Sequence, residues 1–163
     1  MHRYWIVAAA FTGALHAQSA DVKQAYTAIK NNLMKMAEKM PEENYSFKPS
    51  PDIRTFGELV AHVAESQTRS CSAIAGSMKQ ANAGSKTSKA DLVAALKDSF
   101  AMCDGVYDAL TDTNAAEKIK TPRGEMTKLG ALMRNVVHDN EEYGYMAVYL
   151  RLKGIVPPSS ERR

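Results

Sequence analysis

Four stretches of this chain carry apolar residues at helical spacing, and each stops at a proline, a glycine or a polar run. Side chains three and four residues apart share one helix face, which must be buried against another element. The first stretch, about Ala20 to Met40, repeats through Val22, Tyr26, Ile29, Leu33 and Met36 until Pro41 stops it. The second opens near Thr55, with Glu58 three residues on in a capping-box pattern, and reads through Phe56, Leu59, Val60, Val63, Ile74 and Met78. The third spans about Ser88 to Leu110. The fourth, about Thr127 to Lys153, carries Leu129, Leu132, Met133, Val136, Val137, Met146, Ala147 and Leu150; Gly154 ends it and Pro157-Pro158 prevents a restart. A Pro-rich connection, Pro41 to Asp52, follows the first helix, with Tyr45 and Phe47 expected to anchor it. Residues 80–88 read as a flexible link and 111–125 as an irregular one, with no strand-like alternation of useful length. The expectation is an all-α four-helix bundle.

At 163 residues the chain is one domain, large enough to bury a core without disulfide support. The net charge of +3 is small and both signs are interspersed, with no Lys/Arg block among aromatics. The electrostatic footprint of nucleic-acid binding is therefore absent.

The N-terminus reads differently from the rest. His2-Arg3 precedes an apolar, uncharged run from Tyr4 to Leu15, too short for the roughly 20 residues that span a bilayer. Small residues Ala17, Ser19 and Ala20 follow, so residues 1–19 are expected to be a secretory signal peptide, with a preferred cut near Ala17-Gln18. The mature domain, 20–163, is then expected to be exported, periplasmic and without a stable membrane anchor.

Export raises the question of Cys71 and Cys103, because oxidising compartments favour disulfides. In an antiparallel pair of helices, Cys71 would lie about 10 Å of helix rise from Cys103. In a parallel pair both would sit at similar height. Both fall among apolar positions, and buried free thiols are the expectation.

His138 and Glu142 are four residues apart and project from one face of the fourth helix. His62, on the second helix, can close a three-ligand metal site with them, leaving other coordination positions open. Glu141 and Tyr145 are the nearest alternative ligands or supporting residues. A ferritin-like di-metal site needs Glu-x-x-His, whereas this chain has Glu58-x-x-x-His62-x-x-Glu65, so that assignment is poorly supported. No Gly-rich phosphate loop, Gly-x-Ser-x-Gly elbow or His-Glu-x-x-His is present. The nine methionines read as core filler.

The run Met40 to Pro49, then Arg54-Thr55-Phe56-Gly57-Glu58-Leu59-Val60-Ala61-His62-Val63-Ala64, resembles the DinB-like family of bacterial bundle proteins. So do His138-Asp139-Asn140-Glu141-Glu142-Tyr143-Gly144 and the ending Tyr149 to Ser160. The resemblance implies an up-down-down-up bundle with parallel second and third helices, and a homodimer. It also implies a divalent metal, typically nickel or zinc, held by three histidines. Two of these positions match His62 and His138; the third is Glu142 here. A carboxylate in that place either keeps an altered site, suited also to Fe(II) or Mn(II), or leaves a weakened one. Retention is the reading adopted.

The resemblance implies two functions from different classes. One is a metal-dependent enzyme, a hydrolase or a thiol-dependent transferase, with His62, His138 and Glu142 as ligands. The other is a non-catalytic exported bundle, a binding or stress-related protein with a degenerate metal site.

Overall fold

The computed structural model describes residues 18–121 and 124–161. Four helices, α1 (Gln18–Lys39), α2 (Phe56–Ile74), α3 (Lys89–Asp108) and α4 (Lys128–Leu152), form the bundle. A short antiparallel hairpin, β1 (Lys118–Thr121) and β2 (Gly124–Thr127), joins α3 to α4. The expected leader lies outside the described residues except for Gln18 and Ser19, which open α1. No helix among the described residues is long and apolar enough to cross a membrane.

Cross-helix contacts fix the topology. Tyr26 near the start of α1 donates to the Phe100 carbonyl in α3, while Lys89 at the start of α3 reaches the Glu38 carbonyl near the end of α1. These two helices are antiparallel. At the start of α2, Gly57 lies against Leu92 near the start of α3, so α2 and α3 are parallel. Glutamine 67 of α2 meets Asn135 of α4, and Phe56 packs near Tyr149, so α2 and α4 are antiparallel. The order is up-down-down-up.

The helix starts follow the sequence closely. Thr55 caps α2 through its side chain, and Glu58 reaches back to the Thr55 amide at 2.6 Å, completing the capping box. Two further amides of the first turn, on Phe56 and Gly57, donate to the Phe47 and Tyr45 carbonyls. The Pro-rich connection thereby satisfies donors that a helix start leaves unpaired. Tyr45 is buried, donates to the Ala37 carbonyl and meets Phe56 edge-on. A Cβ at Gly57 would stand 3.2 Å from the Tyr45 carbonyl oxygen, so glycine lets the connection seat closely where a larger residue would push it away by a few tenths of an ångström.

Three expectations need correction. The irregular link holds a hairpin: four-residue strands are too short to show periodicity, and only the pairing of Ile119 with Met126, both packed on the core, reveals it. Met78 is not on α2; Gly76 adopts a left-handed conformation that ends the helix, leaving Met78 61% exposed. Cys71 and Cys103 are not free thiols but a disulfide, with Cα atoms 5.3 Å apart. Both lie about fifteen residues into parallel helices, so they meet at equal height.

Candidate metal centre

His62 lies in the second turn of α2, and His138 and Glu142 lie one turn apart in the middle of α4. Because α2 and α4 are antiparallel neighbours, all three side chains converge. The two imidazole Nε2 atoms stand 3.3 Å apart. Glu142 Oε1 is 3.5 Å from the first and 3.7 Å from the second. The expected trio is therefore brought together, and the glutamate reaches both histidines.

This triangle fits a small divalent cation. Four-coordinate zinc with bonds of about 2.0–2.1 Å places its ligand atoms about 3.4 Å from one another. The other Glu142 oxygen, Oε2, is buried without a hydrogen-bond partner among the described residues. Burial raises the Glu142 pKa above the ordinary carboxylate value. A buried carboxylate facing two imidazoles is a costly arrangement that a cation offsets.

The histidines differ. Burial, followed by the charges of Arg54, His138 and Arg69, lowers the His62 pKa, keeping it neutral and able to ligate. Asp139 raises that of His138 against the opposing effect of burial. Its Oδ1 lies 3.6 Å from His138 Nδ1, the ring nitrogen turned away from the triangle. Asp139 is fully buried and accepts from the Gln67 side-chain amide. Asn135 in turn donates to Gln67 Oε1 at 2.9 Å and contacts the Tyr107 hydroxyl, which donates to the Leu132 carbonyl. Gln67 Oε1 also rests against the disulfide, 2.9 Å from Cys103 Sγ. A buried polar chain thus runs from the centre to the disulfide.

Asp139, Gln67 and Asn135 were not picked out by spacing. Their signal was a polar residue in core register: Gln67 falls four after Val63 and four before Cys71, and Asp139 falls three after Val136. Glu141 and Tyr145 do not support the centre; the tyrosine hydroxyl donates to Glu141 Oε1 and both are exposed.

Asp139→Asn is expected to weaken zinc binding about tenfold, the low end for a partner that orients a ligating histidine. Ligation also requires neutral imidazoles. Since Asp139 favours the protonated His138, proton competition starts above the ordinary value of 6.5. Zinc affinity should fall as pH drops towards the raised pKa of His138, and in Asp139→Asn that fall should move to lower pH. Chelator competition across pH measures both effects.

The chain belongs to the DinB superfamily, whose model matches residues 25–146. It is similar to the crystal structure of a DinB-like protein from Bacillus cereus, with a TM-score of 0.73 at 20% identity, covering 85% of this chain and 95% of that one. A DinB-like protein from Bacillus subtilis gives 0.69 at 20% identity, covering 87% and 99%. A DinB family member from Exiguobacterium sibiricum gives 0.64 at 16% identity, covering 85% and 93%. At these identities the likeness is one of fold. No curated protein matches the sequence.

Proposed function

We propose that this protein is an exported DinB-like metalloprotein holding one divalent cation, Zn, Ni, Fe or Mn, through His62, His138 and Glu142, and that it acts as a metal-dependent hydrolase. The observation that carries this reading is the triangle of three ligand atoms with edges of 3.3, 3.5 and 3.7 Å on two facing helices. A cation bound there supplies Lewis acidity, polarising a carbonyl or phosphoryl oxygen and acidifying water. His62 and His138 hold it as neutral donors, while Glu142 cancels one unit of its charge. Asp139 and Gln67 fix the orientation of the His138 ring. A cleft of about 580 Å³, bounded by His62, His138 and Glu142 on one side, admits a small substrate to the centre. The Cys71–Cys103 disulfide supports export, since such bonds persist in oxidising compartments. Export also weighs against a transferase that draws on cytosolic thiols. The test is hydrolysis of a panel of small esters, amides and phosphate esters by zinc- and manganese-loaded protein, with His62→Ala as control. Turnover equal in the control would reject the assignment.

We also propose a homodimer. Tyr145, Val148 and Leu152 form an exposed apolar stripe on the C-terminal half of α4. Sedimentation equilibrium should give twice the monomer mass, and Val148→Asp with Leu152→Asp should return it to one.

A further inference from the structure

The cleft beside the metal centre carries two arginines outside the candidate ligand set. Arg69 lies seven residues after His62 on α2, and Arg134 lies four before His138 on α4. Because the helices are antiparallel, both fall on the same side of the centre, about 10 Å and 6 Å along their axes. Both are exposed and both line the cleft of about 580 Å³. Elsewhere lysines find carboxylates: Lys30 pairs with Asp104, Lys39 with Glu161 and Lys128 with Glu117. Neither cleft arginine forms an ion pair among the described residues. Among the described residues, the only side-chain hydrogen bond of Arg69 goes to Ser66 Oγ at 3.3 Å, and Arg134 makes none.

Glu141 is the one carboxylate of the cleft outside the candidate ligand set, and it accepts from Tyr145. Two guanidinium groups without an ion-pair partner among the described residues therefore line the cleft with one engaged acid, Glu141, and the candidate ligand Glu142. The rest of the wall is mixed: Ile74, Met126, Ala131 and Val137 supply apolar surface beside Ser66, Ser70 and Asn135. Guanidinium groups match the two-oxygen edge of a carboxylate or phosphate, and do so best where apolar surface displaces water around them.

We infer that this cleft binds an amphiphilic organic oxyanion, its head group on Arg69 and Arg134 and its apolar body along Ile74, Met126 and Val137. This deepens the metal reading and rests on it for the reaction: a head group held there sets the reacting group several carbon atoms away, at the centre. The binding itself depends only on the arginines and the apolar wall.

Calorimetric titration of metal-free and zinc-loaded protein with hexanoate, hexyl phosphate, acetate and hexanol tests it. Hexanoate or hexyl phosphate should bind, acetate and hexanol much more weakly. The double variant Arg69→Gln/Arg134→Gln should lose about ten- to a hundredfold in affinity, the range for charged hydrogen bonds, with unchanged circular dichroism and with zinc still bound. The tighter of the two anions identifies the head group. Wild-type affinity in the double variant, or hexanol binding as tightly as hexanoate, overturns the inference. Hexanoate binding retained in His62→Ala, which takes up no zinc, supports the arginine site whatever becomes of the metal reading; loss of hexanoate binding in that variant with both arginines present overturns it.

Discussion

Alanine at His62 or His138 is expected to lower zinc affinity by about a hundredfold or more, leaving purified protein without metal. Partners that merely orient a ligand cost about 10- to 100-fold when removed, and a ligand itself costs more. The two imidazoles stand on different helices, so each loss leaves a cation with one nitrogen and one carboxylate oxygen. Both side chains are only half-buried, and truncation leaves the core of Leu33, Phe56, Leu96 and Leu132 untouched. Folding should therefore persist, and circular dichroism with chelator competition separates lost metal from lost structure. Zinc affinity unchanged in both variants would mean that the three side chains meet for another reason.

The second large effect concerns stability. Removing the disulfide by Cys71→Ala/Cys103→Ala is expected to cost about 3–4 kcal/mol, on the chain-entropy account of a loop closed across 32 residues. For a domain of this size that is a fall in Tm of roughly 10 °C. Both sulfurs are fully buried, so lost packing adds to the entropic term. Gln67 rests against Cys103 and donates to Asp139, so the same variant should also weaken zinc binding modestly. A melting point within 2–3 °C of the wild type would show that packing of α2 on α3 holds without the bond.

Much of the bundle was legible because periodicity and stop signals are local. Thr55 with Glu58 marks the start of α2, Pro41 the end of α1 and Gly154 the end of α4, and all three act in the structure as their chemistry requires. The end of α2 was also written locally, in Gly76, but Met78 at helical spacing masked it. The hairpin was not legible, since pairing of Ile119 with Met126 is a contact between strands too short to alternate visibly. The disulfide turned on helix direction, which spacing alone leaves open. The family resemblance implied parallel second and third helices, and Gly57 against Leu92 bears that out, but buried free thiols were still the expectation.

The metal trio divides in the same way. His138 and Glu142 are one turn apart, so their shared face follows from helix geometry. That His62 meets them depends on α2 lying antiparallel beside α4, for which the family resemblance supplied the expectation. Asp139 and Gln67 escaped because a polar residue in core register names no partner. Arg69 and Arg134 escaped because seven residues on one helix and four on another coincide only once the helices are opposed.

The most direct test of the proposed centre is the metal content of untagged wild-type protein, measured by plasma mass spectrometry beside Glu142→Ala and Glu142→His. The His/His/Glu site predicts close to one divalent ion per wild-type chain and a large loss in Glu142→Ala. Metal absent from the wild type and present only in Glu142→His would contradict it, and would mark Glu142 as the residue that closed the site.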